Sequence, residues 1–380
     1  MTVITGAPNF PKGKVFDGYR NRLWQQETIS GIRVIRVWTY VTANQGFARR
    51  SLDYLSYMVT GFLASLLVRK VDVVVGTSPQ FFTVCAAYVT SIFKRIPWVF
   101  ELRDIWPESI RVVGAMKQSR SLDRLERLEL FLYKKADAIV SVTHSFRKSL
   151  IQRGVYGDKI HVVTNGVDIN RFSPREKDLA LVQQYDLQNK FVVGYIGTHG
   201  LAHALDTILD AAKAIKDAPD GDRFCFILLG DGANKESLRQ RALDEGLDNV
   251  IFIDSVPKEQ VVRYWSLLDA FIIHLKKDHL FTTVIPSKLF ECMGMGIPVL
   301  HGVKGESADI VEKEDVGLLF ESENAEALIL GIRRLASEPK LLARFKANGP
   351  PGARSYNRST LAANMLKIMK VIIAHEKYII

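Results

Sequence analysis

The sequence predicts an α/β chain of two domains, each a parallel sheet covered by helices, on the strength of three features. Its 380 residues suit two domains, either of them long enough to bury a core of its own. Short β-rich runs alternate with longer amphipathic ones in both halves, as strand–helix–strand crossovers require. A turn-rich stretch, Asn165-Gly166-Val167-Asp168 through Phe172-Ser173-Pro174, closes one such series before another opens at Phe191. The expected division is 1–172, 173–358 and a final helical run, 359–380. That run has no strand after it and is free to cross back to the first domain.

In the first domain the β-rich runs are 2–5, 32–38, 71–76, 98–101, 138–142 and 160–163, with helical periodicity at 121–135. In the second they are 191–197, 223–230, 250–254, 270–274 and 298–301. Helical patterns fall at 203–216, 235–245, 258–268 and 324–337. The start departs from a doubly wound pattern. Instead of a glycine-rich turn into a helix, the first strand runs into a loop over 6–22 holding Pro8, Pro11, Gly13 and Gly18.

Composition narrows the class. With 47% hydrophobic and 24% charged residues, the chain is globular rather than disordered. Cys85, Cys225 and Cys292 lie far apart in apolar stretches without metal-ligand spacing, and read as buried, reduced thiols of a cytoplasmic protein. No secretory signal pattern opens the chain. The segment 51–68 carries one charge, Asp53, and is flanked by Arg49, Arg50, Arg69 and Lys70. Its length only reaches the lower limit for a membrane span. It reads as a crossover helix, or more sharply as a monotopic helix dipping into one leaflet; strands on both sides are expected to join one sheet. Residues 1–172 hold 25 Lys and Arg against 13 Asp and Glu, whereas 173–380 hold 26 against 28. A basic first half implies an anionic partner: a membrane surface or lipid diphosphate, since no nucleic-acid-binding signature appears.

Three stretches in the second half carry the chemistry. Gly197-Thr198-His199-Gly200 follows a strand and precedes a helical pattern. Glycines there allow close approach to a diphosphate, or serve packing alone. His199 either donates a hydrogen bond or faces solvent. Gly230-Asp231-Gly232 reads first as a tight turn. The most specific stretch is Pro286-Ser287-Lys288-Leu289-Phe290-Glu291 followed by Gly294, Gly296 and Pro298. Pro286 suits a first helical turn. Ser287 and Lys288 then lie where backbone N–H groups are free and anions are favoured, and Glu291 shares Lys288's face at i, i+3. A carboxylate suits a vicinal diol such as ribose; a plain surface Lys–Glu pair is the alternative. Gly294 and Gly296 are expected to break the helix. In the first half, Arg103 and Asp104 end a strand, either at a ligand-facing edge or as an ion pair at a domain rim.

Together these stretches, the Arg103-Asp104-Ile105-Trp106-Pro107-Glu108-Ser109 run and the Gly-Ile-Pro-Val after the helix resemble glycosyltransferase family 4 over nearly the whole chain. With Pro286-Ser287-Lys288 ahead of Glu291 the chain resembles the branch found among bacterial O-antigen and capsule transferases. The resemblance implies the GT-B fold: two Rossmann-like domains facing a cleft, donor mainly on the second and acceptor on the first. It implies a retaining, metal-independent transfer, with no cofactor beyond the nucleotide-diphosphate sugar, and on family grounds that nucleotide is UDP rather than GDP. Glu291 then binds ribose. Ser287, Lys288 and Leu289, with Gly197, Thr198, His199 and Gly200, hold the diphosphate, while Asp104, Arg103 and Lys288 act at the reacting centre. The implied acceptor is a polyprenyl-diphosphate-linked glycan at the inner face of the plasma membrane, and no nucleic acid is involved.

Four departures accompany the resemblance. The family's glutamate eight residues before Glu291 is Thr283, for which Lys276, Lys277 or Thr282 are substitutes. The basic pair after the second domain's first strand is absent, with Thr198 and Ala204 near its place. The His before the first-domain Asp is Arg103. A strand–loop–helix unit expected before residue 2 is not in the sequence, which suggests a start codon placed too late. Two other functions compete: a nucleotide-sugar epimerase, for which no clear pair of acid and base residues is visible, and an inactive nucleotide-sugar binder.

Overall fold

The computed structural model describes residues 1–9, 13–42, 47–105 and 120–377. The chain forms two compact units, Met1–Val163 with Asn364–Ile380, and Thr164–Ala363. The first contains β1 (Thr2–Thr5), β2 (Trp24–Ile29), β3 (Ile32–Val37), α1 (Phe47–Leu67), β4 (Val74–Thr77) and α2 (Phe81–Lys94). It continues with β5 (Trp98–Leu102), α3 (Arg120–Lys135), β6 (Ala138–Ser141), α4 (His144–Gln152) and β7 (Ile160–Val162).

The strands flanking 51–68 do not share a sheet. β3 is the middle of a three-stranded sheet, β1-β3-β2, and β4 is the edge of a parallel four-stranded sheet, β4-β5-β6-β7. The one-sheet expectation is corrected because no described strand pairs with both β1 and β4. Instead α1 packs on β1 and β3 and against α2, which covers β4. Ala64 and Val68 meet Ile35 and Val37, and the Ser65 and Thr90 hydroxyls bond at 2.8 Å. β2 is not among the expected strands, its Trp-Gln-Gln-Glu sequence being mostly polar. It pairs antiparallel with β3 through Ser30 and Gly31, both at positive φ, as a tight hairpin turn demands. β5 buries Trp98, Phe100 and Leu102 on one face and Val99 on the other, and the Trp98 indole donates to Lys135 O at 3.1 Å. Below it Glu129 is buried, accepting from Tyr133 at 2.6 Å and Arg153 at 2.7 Å; burial pushes its carboxyl up to about 7 against the pull of those donors.

The second unit contains α5 (Leu179–Gln184), β8 (Phe191–Thr198), α6 (Asp206–Lys216), β9 (Phe224–Asp231), α7 (Lys235–Asp244), β10 (Val250–Ile253) and α8 (Val261–Trp265). Then follow β11 (Ala270–His274), α9 (Lys288–Met295), β12 (Val299–Gly302), α10 (Glu306–Glu314), β13 (Gly317–Leu319), α11 (Ala325–Ser337) and α12 (Pro339–Ser355); α13 (Arg358–Lys377) starts in this unit and from Asn364 on belongs to the first. Six parallel strands run in the order β10-β9-β8-β11-β12-β13. Their near-continuous apolar runs are buried on both faces, one core around Trp265, Phe271 and Phe290, the other around Phe226, Leu228 and Ile332. Asn324 caps α11 by accepting from Ala327 N at 2.9 Å.

Two predicted helices shorten. The 203–216 pattern becomes a 3-10 turn, Leu201–His203, and then α6, because Ala204 between them is left-handed at φ 44°. The 258–268 pattern keeps only α8. Among the described residues no helix is long and apolar enough to cross a membrane. Cys225 and Cys292 are buried, whereas Cys85 is half-buried; all three are free thiols.

Candidate active site

All strands of the second sheet are parallel, so their carboxyl ends share one edge. The strand order reverses direction between β8 and β11, the position where open sheets of this kind hold ligands. β8 delivers Gly197-Thr198-His199-Gly200 to that edge, and β9, in register Gly197↔Gly230 and Thr198↔Asp231, delivers Gly230-Asp231-Gly232 beside it. Because α9 lies between the end of β11 and the start of β12, its N-terminus opens at the same edge. The sequence thus brings its three second-half motifs together.

The glycine turns are built by close backbone approach. Gly230 sits at φ 148°, where a Cβ would run into the Gly197 carbonyl, and Gly232 at φ 158° lies under the His199 carbonyl. His199 donates its N–H to Asp231 O at 2.9 Å and accepts from Asn234 N at 2.9 Å. Its ring does not face solvent: it is 0% exposed, between Tyr195 and Phe252, with neither nitrogen hydrogen-bonded. Burial, helped by the Lys235 charge, lowers its pKa to about 4, so the ring is neutral near pH 7. Lys235 is the buried cation beneath the turns. It donates to Gly230 O at 2.8 Å and pairs with Asp254.

At α9, Ser287 stands at the N-cap position in helical conformation without a side-chain cap bond, and Lys288 begins the helix. Pro286 therefore precedes the helix rather than lying in it, and its carbonyl accepts Leu289 N at 3.0 Å. The Leu289 side chain is fully buried, so this residue presents only backbone. Lys288 Nζ donates to Glu291 Oε2 at 2.7 Å and lies 5.6 Å from the centre of the Trp265 ring. Glu291 is 8% exposed and Lys288 about a third, so the pair is more enclosed than a surface bridge. Gly294 does not break the helix. It lies within α9, where a Cβ would meet Phe172 O at 2.7 Å; Gly296 alone ends it, left-handed at φ 65°.

The candidate replacements for the family's second glutamate are partly occupied. Thr283 Oγ1 donates to Leu280 O at 2.6 Å, Thr282 Oγ1 to His279 O at 2.7 Å, and Lys277 pairs with Glu321 at 2.8 Å. Lys276 is exposed, and its N–H donates to Ala202 O at 2.9 Å, tying the exit of β11 to the turn after β8.

Three contributors escaped the sequence reading. His274 is buried at the end of β11, its Nδ1 3.0 Å from His203 O and its Nε2 accepting Glu323 N at 2.8 Å. Those partners fix the neutral tautomer with the proton on Nδ1, and burial lowers its pKa. Trp265 forms the floor under Lys288. In the first unit, Ser78 Oγ accepts Arg103 N at 2.9 Å and bonds Asp104 O at 3.2 Å, clamping the end of β5. Arg103 is exposed and Asp104 half-buried there. Trp106, Pro107, Glu108 and Ser109 of the same motif lie outside the described residues. Among the described residues no group of three His, Cys, Asp or Glu is placed to hold a metal.

Comparison with known proteins agrees with this architecture. Residues 2–166 match the glycosyl transferase 4-like domain and residues 180–351 match glycosyl transferases group 1. WcaI of Escherichia coli K12, a glycosyl transferase whose name ties it to colanic acid biosynthesis, is 24% identical over 352 residues, 90% of this chain and 85% of that protein. TuaH of Bacillus subtilis, named for teichuronic acid biosynthesis, is 27% identical over 220 residues, 56% of this chain and 52% of its own. Among solved structures, sucrose-phosphate synthase of Thermosynechococcus elongatus superposes with a TM-score of 0.76 at 15% identity, covering 98% of this chain and 89% of that one. HepE of Anabaena in complex with UDP gives 0.68 at 18%, covering 90% and 86%. Fold and matches define the class, a glycosyltransferase of the GT-B fold. Within it, the chain belongs to glycosyltransferase family 4 and resembles the transferases of bacterial polysaccharide synthesis.

Proposed function

We propose that this enzyme transfers a sugar, with retention of configuration, from a UDP-sugar to a lipid-diphosphate-linked glycan in bacterial surface polysaccharide synthesis. One observation carries the donor part of the reading: the Lys288–Glu291 pair at the N-terminus of α9, beside the glycine turns at the switch point of the second sheet. Oε2 of Glu291 holds Lys288, and its other oxygen is left to accept ribose hydroxyls. The diphosphate lies over the α9 N-terminus and the 197–200 turn, its charge met by Lys288 and backbone N–H groups. As the glycosidic bond breaks, these donors stabilise charge on the departing UDP, whose phosphate oxygen takes the acceptor's proton. Arg103 and Asp104 act on the acceptor side. The names of WcaI and TuaH support polysaccharide synthesis, and HepE's complex with UDP supports the nucleotide. The lipid-linked acceptor and a site at the inner membrane surface rest on the basic first half.

The test is a transfer assay with UDP-, GDP- and dTDP-sugars and a synthetic polyprenyl-diphosphate glycan, run with and without chelator. The expected result is UDP release coupled to a product that keeps the donor's anomeric configuration, insensitive to chelation. Sugar conversion without acceptor, or binding without turnover, would overturn the reading.

A further inference from the structure

From residue 52 onward helix α1 presents no exposed polar side chain. Every exposed position from 52 to 67 is Leu or Val: Leu52, Leu55, Val59, Leu63, Leu66 and Leu67, the last 67% exposed. The opposite face is already used, since Ala64, Ser65 and Val68 pack against β3 and α2. A crossover helix of a water-exposed domain carries charged residues on its outer stripe; this one runs apolar for about 22 Å at 1.5 Å per residue.

The stripe continues onto α2. Phe62 meets Phe93 edge-on at 5.2 Å, and Lys94 Nζ donates to Val68 O at 2.8 Å, so the carboxyl ends of the two helices adjoin. Ile92 and Phe93 project there, 55% and 67% exposed. Cations frame the patch: Arg49 at one end, and Arg69, Lys70, Lys94 and Arg95 at the other. Between residues 47 and 95 the only acids are Asp53 and Asp72.

We propose that this α1–α2 face docks on an anionic lipid bilayer, its Leu and Phe side chains entering the acyl boundary while the framing cations meet headgroup phosphates. An apolar strip bordered by Lys and Arg is the pattern of helices that lie in the membrane interface. A second copy is a poorer occupant, because pairing this face with itself brings two sets of like charges together. The inference rests on the membrane-side acceptor proposed above and gives that location a surface.

The experiment is flotation of the full chain with phosphatidylcholine vesicles containing or lacking phosphatidylglycerol, with UDP binding measured in parallel without vesicles. The wild type is expected to float with anionic vesicles and to be released partly by high salt. Leu67→Ser and Phe93→Ser, both at exposed positions, should each weaken partition about tenfold, and Arg69→Glu with Lys70→Glu should abolish the preference for anionic lipid. UDP affinity should stay the same in all of them. Wild type that stays unbound, or variants that float as it does, overturn the proposal. So does a concentration-dependent dimer that Phe93→Ser dissolves, which gives the face to a second copy. Loss of UDP binding with intact flotation overturns the donor reading alone, and the converse leaves the donor reading standing without this surface.

Discussion

Replacing Glu291 by Gln separates the two roles open to this carboxylate, partner of Lys288 or acceptor for ribose. The structure sets the size of each. Lys288 and Glu291 pair at 2.7 Å, with Lys288 about a third exposed. Such a pair is worth up to about 1 kcal/mol, so the variant should stay folded and melt only a few degrees lower, roughly 2–4 °C for a unit of this size. Binding should suffer more. Hydrogen bonds to a charged group are worth about 1.5–3 kcal/mol, and at about 1.4 kcal/mol per factor of ten UDP affinity should fall roughly 10- to 100-fold. Calorimetric titration with UDP and with 2′,3′-dideoxy-UDP completes the cycle. In the wild type the dideoxy analogue should bind more weakly by the same factor, and in Glu291→Gln the two nucleotides should bind alike. An undiminished preference for the ribose diol in the variant would refute the assignment and return Glu291 to a structural partner of Lys288.

Gly230→Ala should cost more than about 3 kcal/mol in urea denaturation, because its Cβ would enter the Gly197 carbonyl at φ 148°; Gly246→Ala, at φ 62° with open space around it, should cost about 1 kcal/mol. Ser78→Ala removes the hydroxyl that bonds Arg103 N and Asp104 O, and should lower stability by about 1–2 kcal/mol and kcat several-fold while leaving UDP affinity unchanged, read by melting and steady-state kinetics. The His301 ring is fully buried, bonded to Ser307 at 2.8 Å, and burial pushes its pKa from 6.5 down to about 3. The unfolded chain therefore takes up a proton that the folded chain refuses, and stability falls as pH drops through that window, by up to about 1.4 kcal/mol per pH unit. His301→Gln should flatten that slope in denaturation curves between about pH 6 and 4; an unchanged slope would mean that the ring titrates normally when folded. Glu129→Gln tests the opposite sign. Its raised carboxyl holds a proton in the folded state between 4.5 and about 7, so the first unit should lose stability as pH rises through that range, and the variant should lose that dependence.

What was legible in the sequence is what depends on neighbours close along the chain. Lys288 and Glu291 share a helical face by spacing alone, and the structure pairs them. The apolar runs of β8, β9 and β11 declare buried parallel strands, and all three form within a residue or two of expectation. Features that depend on distant partners were not legible. β2 is polar and exposed, and is a strand only because β3 offers its edge. His199 sits in a glycine turn that reads as open to solvent, yet Tyr195 and Phe252 enclose it. The separation of β1 and β4 into different sheets has no local signal either, since each strand is an ordinary apolar run.

The same division explains how the donor edge is held. Local sequence makes the parts, two glycine turns and the opening of α9, but nothing local sets their relative height. Strand register does that, Gly197↔Gly230 between β8 and β9 and Phe271↔Gly194 between β11 and β8, and across the switch point two further links, Lys276 N to Ala202 O and His274 Nδ1 to His203 O, run from the exit of β11 to the turn after β8. His274 can serve both His203 and Glu323 only as a neutral ring, with one nitrogen donating and the other accepting, and its burial keeps it so. A charged ring would turn Nε2 into a donor facing the Glu323 N–H. That contact, which ties the ring to the segment before α11, would then be lost, and the Nδ1–H bond to His203 O would alone hold the ring. One of the ties between the exit of β11 and the turn after β8 thus runs through a buried ring that no local sequence pattern announces.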